Sequence, residues 1–347
     1  MGDERCMQND RLKDIARAVL TQYDVTPAQI QIVQQGGIKT VWKVSSENGA
    51  TCLKRLKQSR EKALFSVGAQ KYIKENGGYV PDVIANKANE TITCFNNELF
   101  VLYEWVEGKQ LNFNKQEDLM AAIEGLARFH KCTKGYTPPE EARVSTKLAK
   151  WPDQYRSMLT RLSTWKNISC QKKAAVYDTY LKWVDRIMAL GEKTINFLED
   201  SPYDVLSSPG APAVLLCHQD YGKGNALLTQ KGICVLDLDG VTYDLAARDL
   251  RKIILKIAEN QGKWDEETLR DILTWYERGN TLSYDEKKMA YIDILFPHSF
   301  FGAVKNQFLK NKPVKDASIE KIGRIEMSKE TLLTRLIKGS PKSRETF

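Results

Sequence analysis

No stretch of this sequence approaches the ~20 consecutive apolar residues that a helix needs to cross a bilayer, so a helical membrane span is excluded. The first residues, Met1-Gly-Asp-Glu-Arg-Cys6, lack the basic-then-apolar order of a secretory leader, and Cys6 stands where a myristoylation pattern has Ser or Thr. Export through the general secretory route is therefore not expected. Histidine is scarce: His130, His218 and His298 are too few for a His-rich metallohydrolase centre. There is no Gly-x-Ser-x-Gly elbow, and Gly36-Gly-Ile-Lys-Thr40 lacks the Gly-Lys-Thr ending of a Walker A loop. The seven cysteines (Cys6, Cys52, Cys94, Cys132, Cys170, Cys217 and Cys234) include no Cys-x-x-Cys pair. An odd, dispersed set fits buried, reduced thiols of a cytosolic protein better than a disulfide framework or a zinc site. Of the net charge of +8, +6 lies from Lys305 onward, where eleven Lys or Arg face five Asp or Glu. No aromatic-interleaved basic cluster accompanies it, so nucleic acid is not an expected partner. The tail reads either as a packed helix over residues 319–337, seated through Ile322, Ile325, Leu332 and Leu336, with a short free end, or as a docking arm for an acidic partner.

What is present is a chain of 347 residues, 42% hydrophobic and 28% charged, long enough for two lobes or one large globular domain. Its most informative stretch is His218-Gln-Asp220-Tyr-Gly-Lys-Gly-Asn225, followed by Cys234-Val-Leu-Asp237-Leu-Asp239-Gly240. Phosphoryl transfer from ATP needs a group that orients the attacking hydroxyl and takes its proton, and Asp220 at the start of a loop suits that task. It also needs Mg2+, for which the Asn225 amide oxygen and the Asp237 carboxylate are suitable hard oxygen ligands, with Asp239 as an auxiliary. His218 would orient the loop. Lys223 would neutralise the transferring phosphoryl group or is an exposed turn lysine. Short buried strands are expected over residues 213–217 and 232–236, the second after a turn at Gln230-Lys-Gly232, so both acidic groups sit at strand ends.

These residues and their spacing resemble the catalytic core of the aminoglycoside phosphotransferase and choline kinase group, relatives of the protein kinases. The resemblance extends over residues 30–308. Within the group, Pro81-Asp-Val-Ile, Trp151-Pro-Asp-Gln-Tyr155 and Pro297-His-Ser-Phe-Phe301 are similar to the CotS-type spore-coat proteins of endospore-forming bacteria.

The N-terminal part reads as the twisted sheet of a kinase N-lobe. Residues 12–20 have helical apolar spacing, and Thr26-Pro-Ala has the cap-then-Pro form of a helix start. Residues 30–33, 41–44 and 51–56 then alternate like strands, with turns at Gly36-Gly37 and Asn48-Gly49. Lys54 on the third strand can reach the ATP phosphates, although Arg55 and Lys57 lie close enough to leave the register open. Glu61 opens a helix over residues 61–74 with Leu64, Phe65, Gly68 and Tyr72 inward; in that first turn it can pair with Lys54 or simply complement the helix dipole. Gly36 and Gly37 form a loop over the triphosphate or a plain hairpin turn. Residues 98–103 are a buried strand. The resemblance makes the following Glu104-Trp-Val-Glu-Gly108 the inter-lobe hinge, with Tyr103, Glu104, Trp105 and Val106 at the adenine.

From Glu117 the pattern is helical, with Leu119, Ile123, Leu126 and His130 on one stripe, so His130 reads as a structural histidine. Helices are expected over residues 154–162 and 174–197, where the resemblance places acceptor-binding helices; Trp151, Tyr155, Trp165 and Trp183 there are acceptor contacts or core aromatics. Asp244-Leu-Ala-Ala-Arg-Asp249 opens a further helix, and the resemblance makes Asp249 a brace for the catalytic loop.

The expected fold is thus α+β, bilobal and protein-kinase-like, with a β-rich, nucleotide-binding N-lobe over residues 1–103 and a mostly helical C-lobe over 104–347. The expected activity is ATP- and Mg2+-dependent phosphorylation of a small-molecule hydroxyl. The rival expectation is a structural spore-coat component with reduced or lost catalysis. Expected partners are an acceptor and other spore-coat proteins, with synthesis in the mother-cell cytoplasm and neither a membrane nor nucleic acid involved.

Overall fold

The computed structural model describes residues 2–36, 39–222, 224–310 and 312–339. Its contacts divide the chain into two units, one of residues 1–112, 117–145 and 220–242, the other of 113–116, 146–219 and 243–347. The unit that holds the sheet therefore extends past Tyr103 and takes in the segment 220–242.

In the first unit, helix α1 (Gly2–Leu20) precedes strands β1 (Gln29–Gly36), β2 (Lys39–Ser46) and β3 (Gly49–Arg55), helix α2 (Arg60–Glu75), strands β4 (Val83–Ile84), β5 (Thr93–Phe95), β6 (Glu98–Glu104) and β7 (Lys109–Gln110), and helix α3 (Gln116–Thr133). The antiparallel sheet runs β1-β2-β3-β6-β4, with β5 also on β6. Strand alternation sorts its side chains by face. Ile30, Trp42, Val44, Leu53, Phe100 and Leu102 pack under α1 through Leu12, Ala16, Val19 and Leu20. On the other face Val101 and Tyr103 pack against Ala63 and Val67 of α2. That alternation puts Lys54, next to Leu53, on the α2 face. Arg55 takes the opposite direction and pairs with Glu98 at 3.2 Å, which settles the register. The turn chemistry at Asn48-Gly49 forms as expected, with Gly49 at φ 113°. Strands Ala226–Thr229 and Gly232–Val235 form the expected hairpin, whose first strand pairs with β7.

The second unit is mostly helical. Trp151–Ser169 and Ala175–Glu199 bury the aromatic residues whose role the sequence left open: Trp151, Tyr155, Trp165 and Trp183 are at most 6% exposed. Trp151 stacks on Tyr203 at 5.0 Å and donates its indole N–H to Asp244, and Trp165 stacks on Phe301 and Phe308, so they are packing residues. Strands Val214–Cys217 and Thr242–Leu245 pair, and helices Ala247–Gln261, Glu266–Glu277, Tyr284–Leu295, His298–Leu309, Asp316–Ser328 and Glu330–Lys338 follow. No helix among the described residues is long and apolar enough to cross a membrane.

Several expectations are corrected. Thr26-Pro-Ala starts no helix; the backbone there leads into β1, where Ile30 gains burial under α1. Asp244 lies in a strand, and its helix begins at Ala247 because the buried Asp244 carboxylate is held by Trp151 and Arg248. The inward stripe of α2 is Ala63, Phe65, Val67, Ala69 and Ile73, with Leu64, Gly68 and Tyr72 only half-buried. The tail is two helices, broken at Lys329, whose buried ammonium pairs with Glu326 and donates to the Phe296 carbonyl at 3.0 Å. Ile319, Ile325, Leu333 and Ile337 are its buried aliphatic residues, while Ile322, Leu332 and Leu336 are half-buried. Cys94 and Cys170 are exposed, not buried; no described cysteine is paired.

One buried cluster gives a pH prediction. Burial and the neighbouring Arg251 guanidinium push the His298 imidazole down to about 3, although its Nε2 lies 2.9 Å from Asp293. The unfolded chain takes up this proton near the ordinary histidine value, so stability is full above about pH 6.5 and declines as pH falls towards 3. His298→Gln should remove about one proton, or about 1.4 kcal/mol per pH unit, from the slope of unfolding free energy between pH 6 and 4.5 in denaturant titrations. An unchanged slope would contradict the assignment.

Candidate functional site

Residues of β2, β3, β6 and the segment 220–242 surround a cavity of about 330 Å³ in the first unit. Its apolar part includes Val41, Cys52, Tyr103, Val106, Leu227 and Leu236, and its polar end carries Lys39, Lys54, Asn225 and Asp237. This is the shape of a ligand site: an apolar slot with a few polar groups at one end.

Two carboxylates converge at that end. Lys54, whose side chain is 7% exposed, places its Nζ 2.8 Å from Asp237 Oδ1 and 2.6 Å from Asp239 Oδ1. Lys39 Nζ lies 2.7 Å from Asp237 Oδ2 and 3.8 Å from Asp239 Oδ2. Burial pushes the Asp237 carboxyl up, but the Lys54 and Lys39 ammoniums outweigh it and hold the group well below the ordinary carboxylate range. Asp237 has φ 59° and ψ 64°, a left-handed conformation that a non-glycine residue occupies at a cost, and such positions cluster at functional sites.

The loop before it is tied to this end of the cavity. Asn225 donates its side-chain N–H to the Asp220 carbonyl at 2.9 Å and carboxylate at 3.1 Å, and its own backbone carbonyl accepts from Leu236 N–H at 2.8 Å. With the amide nitrogen committed, the Asn225 amide oxygen is the atom left to accept or to ligate. Asp220 is exposed at the loop surface. In the second unit, Asp249 accepts the N–H groups of His218 at 2.6 Å and Gln219 at 3.0 Å, so it braces the backbone leading into Asp220, and His218 is fully buried.

All four hinge candidates, Tyr103, Glu104, Trp105 and Val106, line the cavity. The Glu104 and Trp105 N–H groups bond to the carbonyls of Asp82 and Ala50, while among the described residues Val106 N–H has no backbone acceptor, so it is available to a ligand edge. The Glu104 side chain turns to Lys74, and the Trp105 indole donates to Glu107 beneath the Lys43 ammonium.

Glu61 is the expectation that the geometry corrects. It is exposed, held by Ser59 at the helix start and near Arg143, and Lys54 is partnered by Asp237 and Asp239 instead. The α2 residue that does line the cavity is Gln70, buried and donating to the Pro81 carbonyl at 2.7 Å. Gly36 ends β1 without lining the cavity, whereas Gln34 and Lys39 of the same hairpin do. Gly37 and Lys223 lie outside the described residues. Lys39 was not singled out in the sequence; the only available signal was its place two residues before Val41 on the face that β2 shares with Lys54.

Comparison with known proteins gives the family and the fold. The family described as spore coat putative kinase YutH matches residues 17–336. The chain belongs to that family. Spore coat protein S of Bacillus subtilis (strain 168) is 24% identical to it over 335 residues, covering 95% of each chain. Among solved structures, an aminoglycoside phosphotransferase from Alicyclobacillus acidocaldarius is similar with a TM-score of 0.75 at 16% identity, covering 93% of this chain and 95% of that one. An amicoumacin kinase in complex with AMP-PNP, Ca2+ and Ami is similar with a TM-score of 0.63 at 16% identity, covering 94% and 96%. The fold of this spore coat kinase-like protein is therefore the α+β, aminoglycoside phosphotransferase-like fold expected from its sequence, with an antiparallel sheet and a helical C-terminal part.

Proposed function

We propose that this spore coat family member is an ATP- and Mg2+-dependent phosphotransferase that acts on a hydroxyl group of a small molecule. The observation that carries the reading is the convergence of Asp237 and Asp239 on one buried ammonium at the polar end of an apolar cavity. Two carboxylates close enough to share a single cation, with an amide oxygen nearby on the same cavity wall, form a donor set suited to a hard divalent ion. Bound Mg2+-ATP would supply the phosphoryl group and the charge that shields it.

The chain's own residues divide the remaining work. Tyr103 and Val106 would hold the base, the Val106 N–H meeting its edge. Lys54 would hold the phosphates from the third strand, and Asn225, Asp237 and Asp239 would hold the metal. Asp220 would orient the acceptor hydroxyl and take its proton, with the exposure of the loop giving the acceptor access. Asp249 would keep that loop rigid through the two backbone N–H groups it accepts. Assembly with other coat proteins in the mother-cell cytoplasm, and a place in the spore coat, complete the proposal. It draws on the family and on the described likeness to spore coat protein S.

A phosphorylation assay on fractionated cell metabolites with radiolabelled ATP tests the reading. Mg2+-dependent label transfer to an acceptor, lost in Asp220→Asn, is the expected result. No transfer across a broad acceptor set would favour a coat-building role instead.

A further inference from the structure

Lys39 is unexplained by the roles given so far, and its contacts are specific. Each of the four oxygens of Asp237 and Asp239 faces an ammonium: Lys54 meets Oδ1 of both, at 2.8 and 2.6 Å, and Lys39 meets Oδ2 of both, at 2.7 and 3.8 Å. We propose that Lys39 is a second phosphate-binding lysine that occupies the metal carboxylates until a nucleoside triphosphate draws it away. This inference rests on the phosphotransferase reading and deepens it.

The argument is electrostatic and geometric. Two carboxylates and two ammoniums form a charge-balanced cluster. A divalent cation arriving alone would have to displace two ammoniums whose ion pairs, among the described residues, are with these same two carboxylates, and it would sit beside two like charges at short range. A triphosphate changes this, because its oxygens give both ammoniums new partners as they leave the carboxylates. Metal and triphosphate should therefore each strengthen the binding of the other, and such a coupling is reciprocal.

The two lysines are placed for different parts in the exchange. Lys54 lies on β3 between β2 and β6, and its side chain is 7% exposed. Lys39 begins β2 at the end of a hairpin, and its side chain is 25% exposed. Strand register puts both on one face: Val41 pairs with Lys54, and Lys39 stands two residues earlier along β2. Its compact ammonium on a flexible four-carbon stem can swing from a carboxylate to a phosphate without a change of backbone. A lysine holding only an exposed ion pair would be expected to sit away from the cavity, whereas Lys39 lines it.

The test uses the full chain and three variants, Lys39→Met, Lys39→Arg and Asp237→Asn, each checked for a native circular dichroism spectrum and melting curve. Mn2+ binding without nucleotide is followed by electron paramagnetic resonance, and ATP and AMP binding in the presence of Mn2+ by calorimetry. Lys39→Met should bind Mn2+ alone about tenfold more tightly and ATP about tenfold more weakly, with AMP unchanged, as expected for loss of one charge-assisted contact. Lys39→Arg, which keeps the charge, should follow the unaltered protein. Unchanged or weaker Mn2+ binding by Lys39→Met, or equal weakening of ATP and AMP, would overturn the proposal. Asp237→Asn separates the two layers. If it loses Mn2+ binding while Lys39→Met behaves like the unaltered protein, the Lys39 role alone fails; if Asp237→Asn still binds Mn2+ normally, the metal site and the phosphotransferase reading fail with it.

Discussion

Phosphoryl transfer should fall by ~10² or more in Asp220→Asn, with nucleotide affinity and melting temperature close to those of the unaltered protein. The substitution keeps the shape of the side chain and retains an oxygen that can accept the Asn225 N–H now bonded to Asp220. What it removes is the ability to take a proton from an attacking hydroxyl. Asp220 is exposed at the loop surface, and the melting temperature measured beside the rate separates a loss of rate from a loss of fold. The measurement is single-turnover transfer to whichever acceptor the metabolite assay identifies, or slow ATP hydrolysis in its place. Turnover equal to that of the unaltered protein would remove Asp220 from the proposed chemistry.

A second large effect is expected from ending the chain after Lys315. The deletion removes helices Asp316–Ser328 and Glu330–Lys338, which bury Ile319, Ile325, Leu333 and Ile337. At about 1.5–3 kcal/mol for each fully buried aliphatic side chain, the loss is comparable with the whole stability of an ordinary domain, about 5–15 kcal/mol. It also strips polar anchors: Glu320 accepts from Lys182 and from the Trp183 indole at 2.6 Å, and Lys193 pairs with Glu330 at 2.8 Å. Calorimetry should show no cooperative transition in the truncated protein, or one lowered by many degrees, together with increased binding of an apolar dye. An unchanged melting curve would contradict the packed-helix reading of the tail; if no association changed either, the docking-arm reading would fail with it.

The legible parts of this protein are those whose signal is local. The loop from His218 to Asn225 and the residues Asp237 and Asp239 lie within 22 positions of one another, flanked by short apolar runs, so their order could be recognised without knowing the fold. Lys54 was legible through the alternation of β3 and the Asn48-Gly49 turn that fixes its hairpin, and His130 through its place on the apolar stripe of α3. The less legible parts depend on how elements pack. A helix starting near residue 60 is readable from sequence, but which of its residues meets the cavity depends on its rotation about its own axis. The structure places Gln70 there, nine positions beyond Glu61. Lys39 carries no motif, and its partner Asp237 is 198 residues away along the chain. The break at Lys329 was hidden for a similar reason: helical spacing continues through it, and contacts distant in sequence, with the Phe296 carbonyl and the Trp264 ring, join the Glu326 carboxylate in making a buried lysine acceptable there.

The central claim is that the carboxylates near Lys54 hold a divalent metal that carries a nucleoside triphosphate, and thermal unfolding with ATP in the presence of Mg2+ or of EDTA tests it most directly. A ligand that binds only the folded state stabilises it by mass action, so Mg2+-ATP at ~100 times its dissociation constant should add about 2.7 kcal/mol. ATP with EDTA should add much less, and in Asp237→Asn the difference between the two conditions should disappear. Equal stabilisation of the unaltered protein by ATP with Mg2+ and by ATP with EDTA would contradict the account.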